Sequence, residues 1–417
     1  MKIAIIGFGA AAIGFIERIK DYEHEIHVFE KSSDIYSSSI SGMRADGKLF
    51  VSKEMGGDID IDFLLQKKLV DFYINHINNK NVETGTSFGN TDYYEKFYSK
   101  GFQPINADFF HIGTDQLKEV LYNIYENFKS NNNIHFHFDY NVTTVEKFND
   151  QIKINNSEIF DNVIVAVGRS GHQLIKTIIK KSPKLILDNT KVDLGIRFEL
   201  PDHILADINK EMYEFKVHYK SRTGYIVRTF CNNPSGFVVL ENYGDFTTVN
   251  GHAKIKEKSK NTNFAILVTI QLTEPFNDPV GYGSYIAKMS NLLAGQGKVI
   301  LQTYQHFKDS KRTKNLYRVM PTLEKDKFIL GDINLAFPRR IIESIVDFVE
   351  HLNEVVPGIA NPDNLVYAPE IKFYSNKLNN ELLPNLKFIG DCSGHTRSII
   401  YATAHGYMIA EEIINRK

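Results

Sequence analysis

A glycine-containing turn near the start of the chain constrains the fold more than any other feature. Residues 3–6 (IAII) predict a buried strand, which leads into the turn Gly7-Phe8-Gly9-Ala10-Ala11-Ala12 and an apolar helix. In a G-x-G-x-x-G/A turn the first glycine permits the tight bend, and the second lets the backbone approach a pyrophosphate. The last small residue keeps the helix close to the sheet, and the helix start points unpaired N–H groups at the phosphates. The turn therefore predicts a dinucleotide site.

An acid at the end of the second strand supports this prediction. Ile26 and Val28 mark that strand, and Glu30 closes it 23 residues after Gly7. A carboxylate at this position accepts hydrogen bonds from the ribose hydroxyls of an adenosine and repels a 2′-phosphate. The position of Glu30 alone does not separate FAD from NAD.

A second strand–helix unit follows between Phe109 and Val142. Thr114 is the predicted N-cap of its helix, and Ile134, Phe136 and Phe138 predict a strand that is buried on one face. His135 and His137 alternate with them and are assigned to the outer face. Because the sequence places no third ligand beside these two histidines, we predict no metal site. A further buried strand, residues 162–168, ends at Gly168 in a turn of small residues.

The C-terminal segment repeats the strand–acid–helix order. A short strand at 386–389 precedes Gly390-Asp391, and helical spacing begins at Ile399 after Ser398. The carboxylate of Asp391 can accept a hydrogen bond from a ribityl hydroxyl, and the helix start can stabilise negative charge on the N1–C2=O edge of a flavin. This pattern favours FAD.

These segments together resemble the glutathione-reductase-type FAD-binding fold. Further blocks resemble the uncharacterised FAD-dependent dehydrogenase family in that family's order, and they are residues 42–49 (GMRADGKL), 111–115 (HIGTD), 192–199 (VDLGIRFE), 228–231 (RTFC), 233–239 (NPSGFVV), 250–251 (NG) and 369–370 (PE). The chain departs from the family pattern at Ile371–Ser375 and at His395-Thr396-Arg397, where relatives place the flavin ring.

The resemblance implies an α/β fold in which a Rossmann-like FAD-binding domain is split in sequence. This domain would comprise residues 1–189 and 365–417, and an inserted mixed α+β substrate domain would comprise 190–364. Residues 58–77 contain a predicted helix, and 78–104 are predicted as a loop or an excursion from the domain. The residues expected to bind FAD non-covalently are Gly7, Gly9, Ala10, Ala11, Ala12, Glu30, Lys31, Arg44, Asp46, Gly47, Val142, Ala166, Gly168, Gly390, Asp391, Arg397, Ser398 and Ile399.

The predicted activity is that of an FAD-dependent oxidoreductase, a dehydrogenase moving hydride or electrons between flavin N5 and an organic substrate, for which an anion is one option. The candidate catalytic residues are Arg228, His395, Arg397 and Tyr374, since an arginine can anchor an anion and a histidine or tyrosine can move a proton. Two alternatives stay open. One is a flavin monooxygenase that uses NAD(P)H and oxygen, and the other is a non-catalytic protein that binds FAD or another nucleotide.

Composition narrows the classes of protein to which the chain can belong. A formal net charge of −1 gives no general attraction to nucleic acid or to an anionic membrane, and the apolar run Ile3–Ile16 is shorter than a bilayer span of about 20 residues. Two cysteines, Cys231 and Cys392, form neither a disulfide framework nor a C-x-x-C redox motif, so a cytoplasmic protein is expected. The lack of tryptophan excludes the signature of flavin-dependent halogenases. No second glycine turn has the same context, so any NAD(P)H would visit transiently. The expected partner is a small molecule, and the oligomeric state stays open.

Overall fold

The computed structural model describes residues 1–35, 47–78, 82–85, 92–105, 108–188, 191–212, 214–254, 256–273, 275 and 278–416. The chain divides into two compact units. Unit 1 comprises Met1–Thr84, Phe109–Asn189 and Ser375–Lys417, and unit 2 comprises Gly85–Asp108 and Thr190–Tyr374. No helix among the described residues combines the length and the apolar character that crossing a membrane requires.

A five-stranded parallel sheet forms the centre of unit 1. Its strand order is β23-β11-β1-β2-β7, with the bounds β1 (Lys2–Ile6), β2 (Glu25–Phe29), β7 (Ile134–His137), β11 (Asn162–Val165) and β23 (Leu386–Phe388). The central strand β1 and its neighbour β11 are almost wholly buried, as expected for a parallel sheet covered on both faces. The predicted Rossmann-like arrangement is confirmed.

Smaller sheets and, among the described residues, six α-helices complete unit 1. The helices are α1 (Ala10–Ile19), α2 (Lys53–Gly56), α3 (Phe63–Asn75), α5 (Thr114–Lys129), α6 (His172–Lys181) and α11 (Ile399–Asn415). The small sheets are β8 (Val145–Phe148), β9 (Gln151–Ile154) and β10 (Glu158–Phe160); β12 (Ile186–Asp188) and β22 (Lys377–Leu378); and β3 (Lys48–Phe50), β6 (Phe109–His111) and β4 (Glu83–Gly85).

The first and last helices of unit 1, α1 and α11, pack so closely that their backbones are in contact. A methyl group on Gly14 of α1 would lie 1.8 Å from the carbonyl oxygen of Thr403 on α11, and one on Gly406 would lie 1.9 Å from that of Ala11. Only glycine allows the two helices to approach so closely. This contact holds the C-terminal segment against the helix that follows the glycine turn.

An eight-stranded sheet forms unit 2. Its order is β20-β19-β21-β13-β18-β15-β14-β5, with the bounds β5 (Phe102–Pro104), β13 (Lys191–Pro201), β14 (Val217–Lys220), β15 (Ile226–Asn233), β18 (Asn261–Gln271), β19 (Val299–Thr303), β20 (Phe328–Leu330) and β21 (Leu365–Phe373). A hairpin of β16 (Phe237–Asn242) and β17 (Thr247–His252) accompanies it. The helices are α4 (Asp92–Ser99), α7 (Asp202–Glu211), α8 (Pro279–Ala294), α9 (Tyr304–Lys308) and α10 (Arg339–Val355).

The two faces of this sheet differ in chemistry. Along β13, Leu194, Ile196 and Phe198 join an apolar core with α7, α8 and α10. The alternate residues Asp193 and Arg197 are wholly buried on the other face, although both are charged. The inserted mixed α+β architecture is confirmed, and its second face is a polar layer.

Several local predictions are corrected by the structure. The segment 78–104, predicted as a loop or an excursion from the domain, contains α4 and β5, because Phe97 and Phe102 bury their rings in the core of unit 2. Thr114 is the first residue of α5 rather than its N-cap, which is Gly113. Residues 365–374, expected with the FAD-binding domain, lie in unit 2 because β21 pairs with β13 and β19.

Candidate functional site

A cleft of about 670 Å³ opens at the carboxyl ends of the parallel strands of unit 1. In open α/β sheets this edge is where ligands bind. Six of the predicted cofactor residues line the cleft, and they are Gly7, Gly9, Glu30, Lys31, Val142 and Ala166. Its other walls come from the segments 140–143 and 171–177.

The glycine turn has the geometry that a pyrophosphate needs. Gly7 adopts φ +92°, and a side chain there would lie 2.9 Å from the carbonyl oxygen of Ala166. Gly9 is the N-cap of α1 and has no side chain to satisfy the first N–H groups of the helix. These N–H groups and the positive end of the helix dipole are therefore available to an anion.

Glu30 ties the glycine turn to the end of β2. One carboxylate oxygen accepts the backbone N–H of Phe8 at 2.9 Å, and the other accepts the N–H and the hydroxyl of Ser32 at 3.0 and 2.7 Å. The side chain is buried but lines the cleft. Glu30 thus fixes the turn, and its oxygens keep further lone pairs for the ribose hydroxyls of an adenosine.

Asp391 lies at the end of β23 and faces Arg169 at the end of the neighbouring β11. The Nε of Arg169 is 3.0 Å from Oδ2 of Asp391, and Thr396 donates a 3.4 Å hydrogen bond to Oδ1. Burial raises the pKa of Asp391 above its ordinary value, although Arg169 and Thr396 act in the opposite direction. A carboxylate placed at this strand end can accept the hydrogen bond of a sugar-chain hydroxyl.

The segment His395-Thr396-Arg397, which the resemblance places at the flavin ring, pairs with the end of α2 and with Asp58 beyond it. Asp58 donates its N–H to the carbonyl of His395 at 2.9 Å, and Arg397 donates its N–H to that of Gly56 at 2.8 Å. The Asp58 carboxylate accepts ion pairs from Lys377 and from Arg397, the latter at 3.5 Å. Burial opposes the ionisation of Asp58, but Lys377 and Arg397 outweigh it and lower its pKa.

A buried histidine supports the Gly390 turn from α11. The N–H of Gly390 points at Nδ1 of His405 at 3.3 Å, and His405 is 6% exposed. Burial, and then the neighbouring His395, lower the pKa of His405 to about 3. His405 is therefore neutral at pH 7, and its Nδ1 can accept the Gly390 hydrogen bond.

Neither Cys231 nor Cys392 forms a disulfide. The thiol of Cys392 is buried and donates to the carbonyl oxygens of Val165 and Ile389, both at 3.2 Å. Burial raises its pKa to about 12, so it stays a thiol at neutral pH. Cys392 joins the ends of β11 and β23 and is poorly suited to thiolate chemistry.

The other predicted cofactor residues lie outside the cleft lining. Ala10, Ala11 and Ala12 form the first turn of α1, Gly168 begins the Arg169 turn, and Ser398 caps α11 by accepting the Tyr401 N–H before Ile399 begins the helix. Gly47 accepts the N–H of Ile112 through its carbonyl. Arg44 and Asp46 fall outside the described residues.

The four candidate catalytic residues form two separate pairs. His395 and Arg397 lie in unit 1 beside Asp58. Arg228 and Tyr374 lie in unit 2, where the guanidinium Nη2 donates to the Tyr374 hydroxyl at 3.1 Å. Both of them bind Oδ2 of the wholly buried Asp193, with Arg228 Nε at 3.0 Å and the Tyr374 hydroxyl at 2.7 Å.

Reasoning from sequence missed Arg169, Asp58 and Asp193 as members of these clusters. Arg169 follows Gly168, and Asp193 stands in a block that resembles the family, but neither position signals its partner. The pairing depends on which strands become neighbours, and local spacing does not show that.

One family model matches the chain. It is described as "FAD-dependent protein, C-terminal domain-like" and matches residues 196–372, most of the β-rich unit. The cofactor is FAD. The predicted FAD cofactor is confirmed, and the chain is an FAD-dependent protein.

Relatives of known sequence or structure are distant. A protein from Clostridium beijerinckii with no described function is 21% identical over 99% of this chain and 80% of its own length. Among solved structures, 2,6-dihydroxypyridine-3-hydroxylase from Arthrobacter nicotinovorans has a TM-score of 0.44 at 10% identity, covering 100% of this chain and 84% of the hydroxylase. A 2-methyl-3-hydroxypyridine-5-carboxylic acid oxygenase has a TM-score of 0.40 at 9% identity, covering 100% and 83%.

Proposed function

We propose that this FAD-dependent protein is an oxidoreductase that acts on a small organic anion, which binds on the polar face of the unit 2 sheet. The observation that carries this proposal is the cluster of Arg228, Lys372 and Phe230. The Lys372 ammonium lies 4.8 Å from the centroid of the Phe230 ring, and the Arg228 guanidinium carbon lies 5.1 Å from it. An aromatic ring beside two cations suits a planar anion such as a carboxylate or a phenolate.

Arg228 is held in a fixed orientation but keeps donor capacity. Its Nε and Nη2 face Asp193 and Tyr374, and its Nη1 makes no hydrogen bond with the described part of the chain. Burial opposes the charge of Arg228, but Asp193 outweighs burial and raises its pKa further. The guanidinium is therefore cationic at every working pH and can anchor a substrate oxygen.

Tyr374 is the residue we assign to proton transfer. Its hydroxyl donates to Asp193 and accepts from Arg228, so it lies within a buried relay of charges. Burial opposes the ionisation of Asp193, but Arg228 and Tyr374 hold the pKa of this carboxyl below its usual range. The Tyr374 proton points at the ionised Asp193, so the hydroxyl exchanges a proton with a substrate oxygen by rotating toward it. His395 and Arg397 stay candidates in unit 1.

Two reaction classes are proposed for this site. Bound FAD would supply either hydride acceptance from the substrate or oxygen activation after reduction by NAD(P)H. Dehydrogenation follows from the family resemblance, which also suggests the glutathione-reductase type for unit 1. Hydroxylation is included because the two solved structures named above are a hydroxylase and an oxygenase, although their likeness concerns the fold alone.

Anaerobic stopped-flow reduction separates the two classes. The purified enzyme is mixed with a panel of aromatic and aliphatic acids, with and without NADPH or NADH, and the visible flavin absorbance is followed. A dehydrogenase is bleached by an acid alone. A monooxygenase is bleached by NAD(P)H only when an acid is present, and it then consumes oxygen in proportion to product. Fast, saturable bleaching by NAD(P)H alone would contradict the proposal, because both proposed reaction classes need the acid for flavin reduction.

A matched pair of variants tests the anion site. Lys372→Met removes a cation whose side chain is 12% exposed, whereas Lys210→Met removes one that is 78% exposed. We expect the first to raise the KM for the active acid by about tenfold, the lower range for a charge-assisted bond, and the second to leave it unchanged. Equal KM values in both variants would remove Lys372 from the proposed site.

A further inference from the structure

Four side chains on one face of the unit 1 sheet form a cluster that the flavin chemistry does not use. Glu25 and His27 lie two residues apart on β2, and His135 and His137 lie two residues apart on the edge strand β7. The parallel register places His27 directly opposite His135. We call these four residues the imidazole cluster.

Three members of the imidazole cluster, Glu25, His27 and His135, are close enough to hold one metal ion. One ligand atom from each of Glu25, His27 and His135 lies within 4.8 Å of the others. His27 Nε2 is 2.8 Å from a Glu25 carboxylate oxygen, and the rings of His27 and His135 have centroids 5.0 Å apart. Ligands that bind zinc at about 2.0–2.2 Å in a tetrahedron are separated by distances of this order, so small rotations of these side chains suffice.

We infer that Glu25, His27 and His135 form a binding site for a single Zn²⁺ ion. Two imidazoles and a carboxylate are the donor set of a three-ligand zinc site, and water takes the fourth position. On binding, Zn²⁺ takes the place of the proton between His27 Nε2 and the Glu25 carboxylate, and that proton passes to Nδ1 of the same neutral imidazole, so none is released. The site is independent of the proposed oxidoreductase reaction.

His137 acts as a positioning residue for His27. Its Nε2 is 3.0 Å from Nδ1 of His27, and the two rings are stacked with 7° between their planes. With zinc on Nε2 of His27, the ring proton sits on Nδ1 and is donated to His137. A hydrogen bond on the far nitrogen of a metal-bound histidine is the usual way that a protein fixes its tautomer and orientation.

Aromatic rings pack around the imidazole cluster. His27 stacks near Phe29 and meets the edge of Phe160, and His137 contacts Phe29. The His137 carbonyl also accepts the backbone N–H of Glu30 at 2.9 Å. A zinc ion bound by residues of β2 and β7 would therefore connect the edge strand β7 to β2, the strand that ends at Glu30.

Zinc titration of the full-length protein without an affinity tag tests this site. The protein is stripped with a chelator and titrated calorimetrically with zinc chloride, and thermal unfolding is recorded with and without zinc. We expect one equivalent to bind and to raise Tm, because an ion that binds only the folded state stabilises it. Absence of binding, or several weak equivalents, would overturn the inference.

Variants identify the ligands. His135→Gln and Glu25→Gln change exposed side chains, so the fold is retained, and each should weaken zinc by about 10- to 100-fold or more. His203→Gln changes an exposed histidine on α7 of unit 2 and should have no effect. Unchanged zinc affinity in both ligand variants would contradict the site even if the wild type bound zinc.

The positioning role of His137 has its own test. His137→Phe should weaken zinc by about 10- to 100-fold, whereas His137→Gln, whose amide oxygen can still accept the Nδ1 proton, should restore most of the affinity. Equal affinities in the two variants would remove this role. FAD content is measured in every sample, so a loss of zinc with normal flavin separates failure of this site from failure of the proposed function.

Discussion

The charged residues of the two units are satisfied in different ways. In unit 1, Glu30 and Asp391 bind backbone N–H groups or partly exposed partners at strand ends that open on a cleft or a helix start. In unit 2, Arg197 and Glu370 are both 0% exposed and pair through two hydrogen bonds of 2.6 and 2.7 Å. Arg197 also donates to the carbonyl of Cys231 and to Asn250, both at 3.1 Å. The first arrangement leaves capacity for a ligand, and the second is closed.

The comparison separates binding residues from structural ones on the same polar face. Burial raises the pKa of Glu370, and Arg197 opposes that shift. Arg228, in contrast, is 9% exposed and is not fully paired within the described residues. We therefore expect Arg197 to determine stability and Arg228 to determine substrate affinity.

The largest expected effect is the loss of unfolding free energy when the buried pair of Arg197 and Glu370 is broken. Arg197→Met leaves the buried Glu370 carboxylate with only the more distant Lys372 ammonium, at 3.9 Å, and breaking such a buried pair costs about 3–5 kcal/mol of unfolding free energy. Urea denaturation measures this loss. Arg222→Met, at a side chain that is 68% exposed, should cost about 0–1 kcal/mol. A loss below about 1 kcal/mol for Arg197→Met would show that the pair is not a stabilising element.

The next effect is on the affinity for FAD and concerns Asp391, at the strand end of unit 1 that leaves capacity for a ligand. Asp391→Ala removes a charge-assisted acceptor of the FAD chain and leaves Arg169, 48% exposed, to be solvated, so folding changes little. A bond of this kind is worth about 1.5–3 kcal/mol, which predicts that FAD binds roughly 10- to 150-fold more weakly. Fluorescence titration of the apoprotein measures it, with Asp245→Ala, 79% exposed, as the control. Wild-type affinity in Asp391→Ala would exclude Asp391 from the flavin site.

A third effect is a pH dependence of stability from His405. Its pKa is about 3 in the folded protein and about 6.5 when unfolded, so unfolding takes up a proton between these values. The stabilisation is complete above pH 6.5 and falls by about 1.4 kcal/mol per pH unit as pH decreases toward 3. His405→Asn should reduce the slope of unfolding free energy against pH between 6 and 4.5 by about this amount. Identical slopes in both proteins would contradict the buried neutral histidine.

The sequence predicts the elements of the cofactor site because their signals are local. Gly7, Gly9 and Glu30 lie within one strand–helix–strand unit, and Gly390-Asp391 lies between one strand and one helix. Pairings across strands leave no such signal. Arg197 and Glu370 are 173 residues apart, and His27 and His137 are 110 apart, and both pairs meet only through sheet register. For this reason the sequence predicts His135 and His137 on an outer face without a third ligand. In the structure, β2 supplies His27 and Glu25 beside them.

The central claim is that the unit 1 cleft holds FAD with its adenosine at Glu30, and a comparison of FAD with FMN tests it most directly. FMN lacks the adenosine, so the wild-type apoprotein should bind FAD at least about tenfold more tightly, the value of a single charge-assisted bond. Glu30→Gln should reduce the ratio of the two affinities, and the ratio cancels any general damage to the turn that Glu30 supports. Equal affinity for FAD and FMN in the wild type, or an unchanged ratio in Glu30→Gln, would contradict the assignment of this cleft.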